Sequence, residues 1–211
     1  MDYIKDPSAI YAQSFATVRA EADLTGLPED LHPSAIRLIH ACGMVDLPKD
    51  LRFSKGVYKA AHRAISKGAP ILCDVEMVKA GVIARYVKGN RVIVTLNDPR
   101  VPDLAKQLGT TRSAAAVELW REHIEGAVVS IGNAPTALFH LLEKLEAGWP
   151  KPAAILGFPV GFVGAAESKA LLALGGHGVP YLALSGRRGG SAMASAAVNA
   201  MAAGLPEEGA Q

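Results

Sequence analysis

Hydrophobic residues in the first third of the chain recur every three or four positions, which is the spacing of an amphipathic helix. Pro7 follows an aspartate, a pair that favours a helix start, and Gly43 is typical of a helix C-terminus. These signals predict three helices, which begin near Pro7, His32 and Ser54. The same residues, 1–67, contain no clear strand pattern.

After residue 67 the pattern changes to short apolar runs that alternate with helical segments. The predicted strands are Pro70–Cys73, Arg91–Leu96, Ala127–Ile131, Ala153–Leu156 and Pro180–Leu184. The predicted helices are Glu76–Tyr86, Arg112–Ile124, Pro135–Leu145, Ala165–Leu174 and Ser191–Ala203. Alternation of strand and helix is typical of a parallel sheet with helices on both faces.

The sequence therefore predicts a single α/β domain over residues 1–211. Its fold class is a flavodoxin-like doubly wound parallel sheet of about five strands with additional N-terminal helices. The helical part covers 1–67, the α/β core covers 68–205, and a short tail covers 206–211. Such sheets bind ligands outside the carboxyl ends of their strands. The glycine-rich turn at 157–164 leaves the backbone accessible at this edge, so we expect the site there.

Composition narrows the class of protein. Among 211 residues the formal net charge is +2, which is too balanced for a protein that binds nucleic acid through bulk charge. No apolar run is long enough to span a bilayer, and the N-terminus lacks an export signal. Cys42 and Cys73 lie within apolar patterns, which is typical of a reducing compartment. We therefore expect a cytoplasmic protein that binds neither nucleic acid nor membrane.

Common cofactor motifs are absent from the sequence. It contains no glycine-rich dinucleotide fingerprint, no P-loop and no nucleophile elbow. No set of His, Cys and carboxylate residues has the spacing of a zinc site. The sequence predicts no metal site.

Two arginine segments lie where predicted helices begin. Arg112 follows two threonines at a helix start, and Arg187-Arg188 precedes the last helix. The positive field of a helix N-terminus disfavours a cation there, whereas arginine beside free N–H groups binds anions well. Each arginine alone is typical of a solvated loop. Two such placements at one edge of the sheet favour an anionic ligand.

His40 is the strongest single candidate for proton transfer, because imidazole titrates near neutral pH. The C-terminal turn of its predicted helix favours the imidazolium, whereas Arg37, three residues earlier, opposes it. The sequence does not rank these two effects, and a hydrogen-bonded structural histidine is the alternative interpretation. Tyr11 and Ser14, also three residues apart, share one face of the first predicted helix.

Six motifs carry a resemblance to a known family. In chain order they are Ile39-His-Ala-Cys-Gly43, Gly68-Ala-Pro-Ile-Leu-Cys-Asp74, Thr111-Arg-Ser-Ala-Ala-Ala116, Ile131-Gly-Asn-Ala-Pro-Thr-Ala-Leu-Phe139, Pro159-Val-Gly-Phe-Val-Gly-Ala-Ala-Glu-Ser-Lys169 and Gly189-Gly-Ser-Ala-Met193. Together, at matching intervals over nearly the whole chain, they resemble the precorrin-8X methylmutase family.

The resemblance implies an isomerase of cobalamin biosynthesis that forms homodimers and needs no added cofactor. Family members move a methyl group from C11 to C12 of precorrin-8X. The product is hydrogenobyrinic acid, or cobyrinic acid in the cobalt-containing route. The resemblance implies His40 as the catalytic residue. It implies Ser14 and Arg37 as substrate contacts, with Arg112 as a further arginine of the site. The segment Ile83-Ala84-Arg85 departs from the family's Thr-Arg, so a contact there is either lost or supplied by its arginine.

The implied reaction is formally a 1,5-sigmatropic shift, which needs no nucleophile or redox centre. The resulting hypothesis is that protonated His40 donates a proton or hydrogen bond to a ring nitrogen near C11, while arginines hold the carboxylates of the precorrin. The alternative function is a non-catalytic carrier of a labile corrinoid. A flavin-binding module is a weaker alternative, suggested by the fold alone. The sequence leaves open whether the ring contains cobalt.

Overall fold

The computed structural model describes residues 3–203, and six strands within this range form one sheet. The strands are β1 (Leu51–Phe53), β2 (Ile71–Cys73), β3 (Val92–Val94), β4 (Val128–Ile131), β5 (Ala154–Gly157) and β6 (Tyr181–Leu184). Their order is β1-β6-β5-β4-β2-β3, and every pair of neighbours is parallel except β1 with β6. The five parallel strands follow the flavodoxin-like order, which confirms the predicted fold class.

The expectation of an N-terminal third without strands is wrong, because β1 lies within it. Its backbone runs antiparallel to the last strand and pairs Leu51 with Leu184 and Phe53 with Leu182. Three residues are too few to produce a readable alternation of apolar and polar positions. The strand forms because the edge of β6 offers unpaired N–H and C=O groups. The sheet therefore has six strands rather than about five.

Nine α-helices within residues 3–203 surround the sheet. They are α1 (Pro7–Glu21), α2 (His32–Cys42), α3 (Val57–Ser66), α4 (Glu76–Gly81), α5 (Val101–Leu108), α6 (Arg112–Glu118), α7 (Pro135–Glu146), α8 (Ala165–Ala173) and α9 (Ser191–Ala203). The helix α5 was not predicted, and α6 ends earlier than its predicted bound at residue 124. Gly43 ends α2 in the left-handed conformation, with a φ of 71°.

The predicted helix over 76–86 is interrupted, and the cause lies far away in the sequence. Asn199 of α9 accepts a hydrogen bond from the Ile83 N–H at 2.8 Å and donates one to the Gly81 carbonyl at 2.9 Å. These bonds replace the helical ones, so α4 ends at Gly81. A short 3₁₀ turn, Ala84–Tyr86, follows.

Alternating strand residues divide the core between the two faces of the sheet. Ile71 and Cys73 pack on the face that carries the N-terminal helices and α9, whereas Leu72 packs on the face of α7 and α8. Helix α9 is rich in alanine, and ten of its thirteen residues are buried. Its small side chains let α2 and α4 lie close to it, so these three helices border one pocket.

Within residues 3–203, no helix combines the length and the apolar character that crossing a membrane requires. The predicted tail at 206–211 lies outside the described residues.

Candidate active site

Helices α1 and α2 pack against each other and bring Ser14 to His40. The Ser14 Oγ lies 2.8 Å from Nδ1 of His40, a hydrogen-bond distance. On α1, Tyr11, Ser14 and Phe15 have the spacing i, i+3, i+4, so all three face α2. The sequence predicted the pairing of Tyr11 with Ser14 on one helical face. The structure adds that this face lies against His40.

The imidazole of His40 packs with two aromatic rings of α1, which also contact each other. The Phe15 ring stacks on it at a centroid distance of 4.8 Å and an angle of 20°, and the Tyr11 ring lies 5.1 Å away. Burial among these rings lowers the pKa of His40 below its ordinary value, and the positive charge of Arg37 lowers it further. The sequence left the balance of charge effects open, and the net result disfavours the imidazolium in the free protein.

A neutral His40 has one ring nitrogen that accepts a hydrogen bond and one that donates. When Ser14 donates its hydroxyl hydrogen to Nδ1, the ring proton lies on Nε2. In the described part of the chain, Nε2 has no hydrogen-bond partner, and the residue lines a pocket. The arrangement can therefore present an N–H donor to a bound molecule while the other nitrogen is fixed by Ser14.

Arg37 is buried, with 5% of its surface exposed, although arginine is seldom buried. Its guanidinium carbon lies 6.0 Å from the centre of the Phe15 ring and 5.5 Å from that of Tyr86. Contacts with two ring faces stabilise a cation that has lost much of its hydration. The sequence placed Arg37 beside His40 on one helical face, but its position between two aromatic rings depends on Tyr86, which no motif indicated.

The segment that departs from the family pattern places Arg85 beside Tyr86. Its Nη2 donates to the Tyr86 hydroxyl at 3.3 Å, and its guanidinium carbon lies 5.0 Å from the ring centre. Burial raises the pKa of Tyr86, but hydrogen bonds from Arg85 and Arg37 and their charges outweigh it, so the pKa is lowered. Two cations therefore contact one phenol, and one of them, Arg37, lines the pocket beside His40.

The pocket has a volume of about 350 Å³. It is lined by residues of α1, α2, α4 and α9 and of the turn after α4, namely Tyr11, Arg37, His40, Ala41, Met77, Gly81, Ile83, Ala192, Ser195, Ala196 and Asn199. The walls are largely apolar, and the polar groups converge from α2 and α9, as is usual in small-molecule sites. Asn199 and Ser195 were not singled out from the sequence, because an alanine-rich helix gives no signal for individual polar positions.

The carboxyl ends of β2 and β4 flank the point where the strand order reverses, which is the usual ligand position in this fold. Here Asp74 occupies it. Its carboxylate accepts hydrogen bonds of 2.9 Å from the N–H groups of Gly132, Asn133 and Ala134. Burial raises the pKa of Asp74, and the three backbone bonds act in the opposite direction. The N–H groups that could hold a phosphate are thus taken by the protein itself, which argues against a flavin phosphate at this point.

The other predicted arginines have different surroundings. Arg112 is exposed and donates to the Leu96 carbonyl at 3.1 Å, and it is not among the residues that line the His40 pocket. Arg187 is exposed, and its guanidinium carbon lies 5.4 Å from the centre of the Phe162 ring. Arg188 binds two carboxylates of the protein, Asp46 at 2.9 Å and Asp50. Of the pair 187–188, Arg187 is therefore the better candidate for an external anion.

The described residues contain no group of three or more His, Cys, Asp or Glu side chains placed to hold a metal ion. A flavodoxin-like sheet, a histidine fixed by a serine and a buried arginine together define an α/β protein with a site suited to proton donation toward an anionic molecule.

Comparison with known proteins agrees with this class. The precorrin-8X methylmutase family model matches residues 9–203. The chain is 65% identical to a precorrin-8X methylmutase of Pseudomonas aeruginosa, over 96% of this chain and 98% of that protein. It is 57% identical to a precorrin-8X methylmutase of a Sinorhizobium species, over 95% and 96%. A solved precorrin-8X methylmutase structure from Thermus thermophilus superposes with a TM-score of 0.83 at 38% identity, over 92% of this chain and 94% of that one.

The chain belongs to the precorrin-8X methylmutase family and is an isomerase of cobalamin biosynthesis. The resemblance carried by the six sequence motifs is therefore confirmed.

Proposed function

We propose that the protein moves the C11 methyl group of precorrin-8X to C12, giving hydrogenobyrinic acid, in the pocket beside His40. The bond from C11 to the methyl carbon breaks and the bond to C12 forms, so no external oxidant or group donor is required. The observation that carries the proposal is the His40 ring, which lines the pocket and is held through Nδ1 by Ser14.

In this proposal His40 donates a hydrogen bond or proton from Nε2 to a ring nitrogen near C11. The lowered pKa of His40 makes a neutral N–H donor the resting form. A bound precorrin brings several carboxylates, and their negative charges raise the pKa of a nearby imidazole. Binding of substrate therefore favours the imidazolium form of His40, which can donate a proton to the ring nitrogen, whereas the neutral form donates only a hydrogen bond. General acid assistance of this kind is worth about 10²- to 10⁴-fold in rate.

The arginines hold the carboxylates at the edge of the macrocycle in this proposal. Arg37 is fixed between two aromatic rings beside His40, so it orients one acidic arm with little loss of side-chain freedom. Arg187 is exposed above Phe162, and Arg85 is exposed beside Tyr86, so both are available to arms that extend beyond the pocket. Arg85 thus supplies the contact at the segment that departs from the family pattern.

A ring without cobalt is the proposed substrate. The two relatives at 65% and 57% identity are named for precorrin-8X, whereas a relative from Priestia megaterium at 34% identity is named for cobalt-precorrin-8. We expect a higher kcat/KM for the metal-free substrate when both are assayed under identical conditions. A higher value for the cobalt form would reverse this part of the proposal.

The experiment that tests the catalytic role is His40→Ala. Its turnover should fall by about 10²-fold or more, while the affinity for hydrogenobyrinic acid changes little, because the arginines still hold the product. His123→Ala is the matched control, since His123 lies outside the pocket. Near-normal turnover by His40→Ala would place the acid elsewhere. In a single-turnover assay, a non-catalytic carrier would return its ligand with the methyl group still on C11.

A homodimer and a cytoplasmic location complete the proposal. Large apolar side chains lie exposed on the surface, among them Phe162 at 83%, Val163 at 88% and Leu174 at 80%, which favours burial against a second copy. Both cysteines are free, which supports a reducing compartment. Light scattering of the purified protein at assay concentration measures the oligomeric state.

Arg112 requires a specific arrangement to act as a substrate contact, because it lies outside the lining of the His40 pocket. In this proposal the second copy of the dimer presents it. Co-expression of His40→Ala and Arg112→Ala subunits should then restore about a quarter of wild-type activity, since mixed dimers contain one intact site. Activity no higher than that of the separate variants would place Arg112 outside the site or within a single subunit's site.

A further inference from the structure

A second cavity lies on the opposite face of the sheet from the His40 pocket. Its volume is about 260 Å³. It is bordered by α8, by β1 and β6 and by the loop after β6, through Arg52, Ala166, Lys169, Ala170, Ala173, Leu174, Ala183, Ser185 and Gly186. Arg52 pairs with Ala183 across the strands, so both side chains lie on the face of the sheet that packs against α8.

A buried lysine lines the cavity. Lys169 has only 2% of its surface exposed, and its Nζ donates to the Arg188 carbonyl at 2.5 Å. This is its one hydrogen-bond partner in the described part of the chain, although an ammonium group has three donors. The neighbouring positions on the same face of α8, Ala166, Ala170 and Ala173, are all alanine. A lysine in this apolar face is not required for packing.

No acidic side chain compensates the positive charge. Within residues 3–203, no carboxylate lies within ion-pair distance of Lys169, and none lines the cavity. Burial alone lowers the pKa of Lys169 to about 8. The second cation, Arg52, donates only to the carbonyls of Lys49 and Leu51. Arg188, whose carbonyl accepts the bond from Lys169, has its own charge bound by Asp46 and Asp50. A buried, unpaired charge is costly and is usually compensated by a ligand or a partner.

We propose that this cavity binds a short aliphatic monocarboxylate, whose carboxylate lies between Lys169 and Arg52 and whose chain packs against the alanines of α8. The chemistry of the walls selects this class. The lining combines two cationic residues, Lys169 and Arg52, and the residues Ser185 and Gly186 with alanine and leucine. An inorganic oxyanion would leave the apolar walls without a partner. A neutral molecule would leave the ammonium group uncompensated.

Sodium butyrate is the probe that tests the site. On the full-length protein, it should raise the melting temperature in a saturable manner, because a ligand that binds only the folded state stabilises it. Sodium phosphate at matched ionic strength and neutral butyramide should give no saturable effect. A saturable effect of phosphate equal to that of butyrate, or of butyramide, would overturn the assignment of a carboxylate site. Absence of saturation by butyrate up to tens of millimolar would overturn the proposal altogether.

Three variants locate the site. Lys169→Met should abolish the response to butyrate, even if removal of a buried charge makes the variant more stable by itself. Arg52→Gln should weaken binding by about tenfold, since a charge-assisted hydrogen bond is lost. Lys106→Met, at an exposed lysine of α5, is the control and should respond as the wild type does.

Ala170→Leu provides an independent variant that keeps both cations and the helix. The larger side chain fills part of the cavity, so butyrate binding should be lost while the fold is retained. An unchanged response to butyrate in Ala170→Leu would show that butyrate binds elsewhere. Methyl transfer should be unaffected in Ala170→Leu and Arg52→Gln, because the cavity and the His40 pocket lie on opposite faces of the sheet.

Discussion

The Ser14 hydroxyl and Nδ1 of His40 lie 2.8 Å apart, so a residue of the first helix fixes the ring of the second. Ser14→Ala should lower kcat by about five- to tenfold with little change in KM, because one positioning hydrogen bond is worth about 1 kcal/mol. Thr17→Ala, at an exposed position of the same helix, should leave both constants unchanged. Steady-state kinetics measures both. A change in KM alone would assign Ser14 to substrate binding rather than to orientation of the imidazole.

Arg37 lowers the pKa of His40, in addition to the larger effect of burial. Arg37→Met preserves the shape between the rings and removes the charge, so the pKa of His40 should rise, as followed by NMR titration of its ring. If protonated His40 is the acid, the limb of kcat/KM that falls with increasing pH should move to higher pH by the same amount. Arg63→Met, at an exposed arginine of α3 that does not line the pocket, is the control. A moved NMR pKa with an unmoved limb would exclude His40 as the acid.

The lowered pKa of His40 also makes the free energy of unfolding depend on pH. A histidine whose pKa is lowered by folding binds fewer protons in the folded than in the unfolded state. Its contribution to the free energy of unfolding is therefore present above the unfolded pKa and is lost as the pH falls through the folded pKa. In Arg37→Met the two values lie closer together, so urea unfolding should show less loss of stability on acidification from this residue.

Substitutions of the adjacent residues Arg187 and Arg188 should have different effects: one should change substrate binding and the other the stability of the fold. Arg188 is bound by Asp46 and Asp50, so Arg188→Ala should lower the free energy of unfolding by about 1 kcal/mol with kcat unchanged, and less so at high salt. Arg187 has no such pair within the described residues, so Arg187→Ala should raise KM by roughly fivefold and leave stability unchanged. The opposite pattern in unfolding and kinetic measurements would exchange the two roles.

Helices α4 and α9 approach closely at the pocket wall. A Cβ added at Gly81 would collide with Ser195, at 2.7 Å from its Cβ. Gly81→Ala should therefore cost about 2 kcal/mol of stability. Ser195→Gly alone should cost about 1 kcal/mol, yet the double variant should be more stable than the sum predicts. Gly176→Ala, where a Cβ meets nothing within 4 Å, is the control. If urea unfolding showed that the effects of the two substitutions on the free energy of unfolding simply add, the clash would have been relieved by a movement of the helices that costs no energy.

Local sequence patterns correctly predicted the features that depend on residues close together in the chain. The alternation of strands and helices gave the parallel sheet, and helical spacing placed Ser14 with Tyr11 and Arg37 with His40. Contacts between distant segments were beyond such patterns. The end of α4 depends on Asn199, 116 residues after Ile83, and the ring sandwich around Arg37 depends on Tyr86. The roles of the site residues came from the family resemblance, because a helical serine or histidine has many structural explanations.

Within residues 3–203, the pairing of β1 with β6 joins the first strand to the last. During synthesis, Leu51 and Phe53 are made long before their partners, and they leave the ribosome with no strand to pair with. The sheet is completed only when the final strand has emerged, and such distant pairing slows folding. Prematurely terminated chains therefore lack the closing strand and expose an open sheet edge, which makes them targets for aggregation or degradation rather than smaller working enzymes.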